Sequence, residues 1–297
     1  MGSRMTRSFM DEEIASQPEC WQRAVGLADE LGAELPAPGR RVAVVGCGTS
    51  RFIGESYGVL REAAGLGQTD VFAASEFPRG RQYDEVLAIS RSGTTTEVLR
   101  LLETLRGHTP TTVITGVPGE IAHVADRVVD LSYSDERSVV QTRFATTTLA
   151  LLRANLGEDL TGAIEQARAA LDEPIAADLR EADQFTFLGT GWTVGIANEA
   201  ALKFREASLT WTESYPAWEY RHGPISISQP GRVTWMFGAA PEGMADDVAK
   251  TGATFVDRDI DPLADLVLAQ RVAGARAADR GLDPDHPRSL TRSVVLQ

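Results

Sequence analysis

One unit occurs twice in this chain and limits what the chain can fold into. Arg41-Val-Ala-Val-Val45 is a short β-branched run ending in Gly46-Cys-Gly48-Thr-Ser50, and a helical pattern follows to about Ala64. In the second half, Gln184-Phe-Thr-Phe-Leu188 leads into Gly189-Thr-Gly191-Trp-Thr193 and a helix from about Val194 to Leu209. Gly46 and Gly48 fall on Gly189 and Gly191 at an offset of 143 residues, and Ser50 falls on Thr193. A strand, a glycine turn and a helix used twice read as duplication of one α/β unit. Two unrelated turns of a common type would leave the same pattern.

The rest of the chain keeps the alternation. Strands are expected at Asp70–Ala74, Asp84–Ile89, Thr111–Thr115, Arg127–Leu131, Arg232–Phe237 and Thr254–Val256. Helices are expected at Asp11–Leu35 (ended by Pro36-Ala-Pro-Gly39), around Leu99, Leu102 and Leu105, over Thr146–Leu171 as one or two pieces, and at Gly243–Thr251 and Leu263–Ala278. Strands separated by helices must pair in parallel, which gives layered α/β lobes. The expected division is an N-terminal helical segment 1–35, a first lobe 36–145, a helical connector 146–175, a second lobe 176–281 and a tail 282–297 without helical period. Residues 1–4, before a second Met5, read as a cloning scar.

At 297 residues and 43% hydrophobic, the chain can fill two cores. Its net charge of −13 argues against nucleic acid or an anionic membrane as the main partner, because either needs a basic face. A small anionic substrate remains open, since backbone amides and helix N-termini can hold it. Two cysteines cannot build a disulfide framework, so a reducing cytoplasm is expected. No membrane span, secretory signal or metal-ligand spacing is seen, and no metal or cofactor is expected.

Four residue groups could carry chemistry. Ser90-Arg-Ser-Gly-Thr-Thr-Thr96 joins a strand to a helix and offers five hydroxyls, a glycine and a helix dipole at one spot. Simple N-capping needs one hydroxyl, so phosphate binding is expected. Gly46-Cys-Gly48-Thr-Ser50 lacks the third glycine of a dinucleotide fingerprint and gains a sugar-contacting role only beside the Ser90 loop. Glu199, Lys203 and Glu206 share one helix face within about 60°. On a solvated helix they would be an ion-pair ladder; on this helix, otherwise small and apolar, a covered carboxylate would suit a general base. His222, in Glu219-Tyr-Arg-His-Gly-Pro224, sits at a chain bend and is either structural or catalytic.

Together these groups resemble the sugar isomerase (SIS) family over nearly the whole chain, and most of all its double-SIS enzymes. The resemblance implies an α/β fold of two similar flavodoxin-like SIS lobes, with parallel sheets flanked by helices. Met10-Asp-Glu-Glu-Ile-Ala-Ser-Gln-Pro18 resembles the helix entering that module. Ile89-Ser-Arg-Ser-Gly-Thr-Thr95 resembles the phosphate loop, which implies phosphate contacts from Ser90, Ser92 and Thr95 and a backbone or sugar contact from Arg91. Gly48, Thr49 and Ser50 match a sugar-contacting loop, and Val139 and Gln141 fall in a second sugar-contacting stretch. Glu199–Glu206 matches the catalytic helix, in which the last glutamate moves the proton between C1 and C2 beside the lysine. His222 matches a ring-opening histidine delivered from the neighbouring subunit, which implies a homodimer with shared sites. Pro287–Val295 resembles a tail that closes the site.

Three departures refine the expectation. No glutaminase segment is read ahead of the module. Arg292 stands where the aminosugar synthases have an imine-forming lysine, and a guanidinium cannot serve as that amine. Gln141 stands where they have a serine. An isomerising amino-sugar-6-phosphate deaminase is therefore expected, with Lys203 and Arg292 offsetting negative charge. A non-catalytic phosphosugar sensor, a fructosamine-6-phosphate-type deglycase and a synthase-like isomerase are the alternatives.

Overall fold

The computed structural model describes residues 8–296, so the cloning-scar reading of residues 1–4 lies outside the described residues. Nine strands among them form two sheets. The first joins β1 (Val42–Gly46), β2 (Thr69–Ala73), β3 (Glu85–Ser90), β4 (Thr111–Thr115) and β5 (Arg127–Asp130) in the order β2-β1-β3-β4-β5, all parallel. The second joins β6 (Gln184–Gly189), β7 (Trp211–Pro216), β8 (Arg232–Phe237) and β9 (Thr254–Asp257) in the order β7-β6-β8-β9, again all parallel. Counted from its own first strand, each sheet begins with the same 2-1-3-4 order. The two-lobe α/β reading is borne out.

Strand β1 explains why the apolar runs became strands. Val42 and Val44 enter the main core, while Ala43 and Val45 enter a second core on the opposite face. A strand covered on both sides needs no polar alternation. Helices α4 (Thr49–Ala63), α6 (Arg143–Asn155), α9 (Thr193–Ser208) and α11 (Pro262–Asp279) fill the main core shared by the two sheets. Phe185, Phe187, Phe204, Trp235 and Phe237 stack there, with neighbouring ring centroids 4.6–6.2 Å apart. Helix α5 (Thr96–Leu105) covers the outer face of the first sheet and α10 (Met244–Thr251) that of the second. Where α4 crosses α9, a Cβ on Gly195 would collide with Phe52 O and the Ser56 backbone, so that crossing requires glycine.

Two expectations need correction. The single helix over Asp11–Leu35 is three short ones, α1 (Phe9–Ala15), α2 (Gln17–Gly26) and α3 (Ala28–Gly32). Ser16 ends the first, Pro18 sits in the first turn of the second, and Leu27 ends that. Strand β7 was not anticipated, because Trp-Thr-Glu-Ser-Tyr-Pro lacks an apolar pattern. It is an edge strand with one neighbour, so it needs little apolar surface. The Thr146–Leu171 stretch resolves into α6 and α7 (Thr161–Asp172), and α8 (Ala177–Glu181) precedes β6. Among the described residues no helix is long and apolar enough to cross a membrane.

Candidate active site

In the first sheet the chain leaves β1 toward β2 on one side and leaves β3 toward β4 on the other. The loops after β1 and β3 therefore diverge and open a crevice at the strands' C-terminal ends, the usual ligand position in such sheets. The two loops are Gly46–Ser50 and Ser90–Thr96. Gly48 has φ +53°, and Gly93 has φ +65° with its Cβ direction blocked by Val117 O, so both turns depend on glycine.

Ser90 is buried, and its hydroxyl has no partner among the described residues. Ser92 Oγ accepts the Thr94 amide at 3.3 Å and lies 3.5 Å from Thr95 Oγ1. Arg91 turns away from the crevice: its guanidinium donates to Ser138 O at 2.8 Å and Arg292 O at 2.6 Å. Burial pulls its pKa down. The tail crosses this loop. Ser92 and Thr94 hydroxyls donate to Ser293 Oγ at 3.1 and 2.9 Å, and the Thr96 amide donates to Val294 O at 3.2 Å.

The α9 face is covered. Glu199 is 0% exposed, Lys203 1%, and the Glu206 side chain 20%. Lys203 Nζ donates to Thr49 Oγ1 at 3.0 Å, pairs with Glu206 and lies 3.6 Å from Glu199. One ammonium thus joins a threonine of the first lobe's Gly46–Ser50 loop to both carboxylates of the second lobe. Burial pushes the Glu199 carboxyl up to about 7, with Lys203 opposing and Glu206 adding to the rise. Burial alone would lower Lys203, but the Glu199 and Glu206 carboxylates outweigh it and hold the ammonium above its ordinary value. Of the two acids, only Glu206 keeps surface that a ligand could touch.

Three expected residues stand apart from this cluster. Gln141 is half-buried, and its Oε1 has no partner among the described residues. His222 ends a 3₁₀ turn, Ala217–His222, anchored by Tyr220 OH 3.0 Å from Thr234 Oγ1 and by Arg221 on Asp247 at 2.7 Å. The imidazole itself is exposed and makes no hydrogen bond among the described residues. Arg292 pairs with Asp135 at 2.5 Å rather than with the α9 carboxylates.

Sequence reading gave no role to the acids behind the crevice. Glu136 Oε1 accepts from the Thr142 amide, from Thr142 Oγ1 at 2.9 Å and from the Arg143 amide at 2.8 Å. Glu13 Oε1 accepts from the amides of Arg137 and Ser138. Burial, with Glu136 nearby, raises Glu13 to about 7. Asp285 caps α1, accepting the Phe9 and Met10 amides at 2.7 and 2.9 Å. Only the Met10–Pro18 motif hinted at Glu13, and it carried no geometry.

No family model matches the chain. It is 29% identical over 97% of its length to the isomerizing glutamine–fructose-6-phosphate aminotransferase of Methanothermobacter thermautotrophicus, and 27% identical over 98% to that of Caulobacter vibrioides. The chain spans 58–59% of the length of these two relatives. Among solved structures it is similar to the glucosamine-6-phosphate deaminase of Thermotoga maritima, with a TM-score of 0.85 and 26% identity over 97% of this chain and 100% of that one. The Escherichia coli tagatose-6-phosphate ketose/aldose isomerase shares the fold at a TM-score of 0.78 and 18% identity, over 100% and 99% of the two chains. The likeness to the double-SIS enzymes read from the motifs is thereby borne out.

Proposed function

From a chain similar throughout to the double sugar isomerase module, we infer a phosphosugar isomerase whose substrate is a 2-amino-hexose 6-phosphate and which acts as an isomerising deaminase. The observation that carries this reading is the Lys203–Thr49 hydrogen bond, which holds the acid-bearing helix against the sugar loop. The phosphate sits in the Ser90 loop, with Ser90, Ser92 and Thr95 as ligands, and so fixes how far the sugar reaches. Thr49, Ser50, Val139 and Gln141 face the sugar. His222 of a second copy assists ring opening, which accounts for its exposure in a single chain.

In the open-chain aldose, Glu206 removes the C2 proton and an enolamine forms. Lys203 offsets the negative charge that develops on the substrate. Glu206 returns the proton to C1, leaving a C2 imine, which water hydrolyses to the ketose phosphate and ammonia. Arg292, paired with Asp135, has no amine to form an imine with a ketose, which favours ammonia release over amino transfer.

The test is to supply glucosamine 6-phosphate, galactosamine 6-phosphate and fructose 6-phosphate and to follow ammonia and aldose–ketose exchange. Glu206→Gln is expected to lose about 10² to 10⁴ in rate. Unchanged turnover in that variant would remove Glu206 from the mechanism.

A further inference from the structure

The strap Arg137–Gln141 carries two of the proposed sugar contacts, Val139 and Gln141, yet belongs to no helix or strand. Its backbone is held from outside. At one end, Glu136 gathers the amides of Thr142 and Arg143. On one flank, Arg91 takes Ser138 O at 2.8 Å, while the Ser138 hydroxyl and the Val139 amide donate to Pro284 O and Asp285 O at 3.3 and 3.4 Å. Two further amides, of Arg137 and Ser138, both donate to a single oxygen, Glu13 Oε1. Glu13 comes from α1, more than 120 residues away in sequence, and is 3% exposed. Without it, one part-buried and one buried amide at the start of the strap lose their acceptor, a cost that backbone groups avoid by moving.

We propose that Glu13 is a positioning residue for the sugar half of the site: it fixes the strap that presents Val139 and Gln141, and it reaches the phosphate loop only indirectly, through Ser138 O on Arg91, which is not one of the proposed phosphate ligands. The inference rests on the phosphosugar reading above. Among the described residues no hydrogen bond links Glu13 directly to the Ser90 loop, whereas the strap begins at the residue whose amide it holds. Its acceptor oxygen does the holding, so an isosteric amide should preserve it.

The experiment compares two probes in the full chain by calorimetry: inorganic phosphate, which needs only the Ser90 loop, and glucitol 6-phosphate, which also needs the strap. Glu13→Ala is expected to bind glucitol 6-phosphate about tenfold more weakly and inorganic phosphate as the wild type does. Glu13→Gln is expected to stay within about threefold of wild type for both. If Glu13→Ala does not fold, Glu13→Asp, one methylene shorter, carries the same comparison. Equal loss of both probes, no loss of either, or a Gln variant as weak as Ala would overturn the proposal. If the wild type binds neither probe, the phosphosugar reading fails, and this inference falls with it.

Discussion

Lys203 illustrates how much rests on one side chain. It is the only cation in contact with Glu199 and Glu206 among the described residues, and it also reaches Thr49. Lys203→Met should leave two facing acids without a counter-charge. A loss of about 3–5 kcal/mol is expected in urea unfolding, together with loss of turnover. The buried acids also set a pH dependence. Glu13, Glu199 and Asp265 are each pushed up to about 7 by burial, from ordinary values near 4. The folded state therefore holds more protons than the unfolded one between about pH 4 and 7. The stability these groups contribute is full below their unfolded values and is lost as pH rises through about 7. Glu199 alone accounts for about 3 kcal/mol of that loss. Thermal melts should fall from pH 5.5 to pH 8, and Glu199→Gln should flatten the decline; an equally steep decline in that variant would exclude Glu199 as a source.

At the scale of elements, the consequential contact is the crossing of α4 on α9. Gly195→Ala would press its methyl on the α4 backbone and pry the two helices apart, and with them Thr49 from Lys203. A loss of about 1–3 kcal/mol is expected from the overpacking, with activity falling further than stability accounts for. Wild-type activity in a folded variant would show that the crossing does not set the site. The same scale explains what could be read without coordinates. β1, β3 and β6 are buried on both faces and announce themselves as apolar runs. The Ser90 loop and the α9 face are contiguous or periodic in sequence, so their groups could be recognised together. β7 has one neighbour and no apolar pattern. The helix over Asp11–Leu35 broke at Ser16 and Leu27, where residue preferences are weak. Glu13, Glu136 and Asp285 act on amides distant in the fold's wiring or on loop backbone, which no periodicity reports.

At the scale of the whole molecule, His222 is exposed, as are Trp211 at the start of edge strand β7 and Trp218 in the 3₁₀ turn after that strand. If a second copy supplies His222, mixing inactive His222→Ala and Glu206→Gln chains should restore about a quarter of wild-type activity, because half the dimers are mixed and each mixed dimer has one intact site. Complete absence of recovery in exchanging subunits would mean that each chain uses its own histidine.

The central claim is that a phosphate held after β3 brings the sugar's C1 and C2 to Glu206. Proton exchange with solvent reads this directly. Incubated in heavy water with fructose 6-phosphate, the wild type should place deuterium at C1 of the ketose and at C2 of the aldose formed from it, while Glu206→Gln should not, and free fructose should stay unlabelled. Binding of the phosphosugar without label, or equal labelling by the Glu206→Gln variant, would contradict the account.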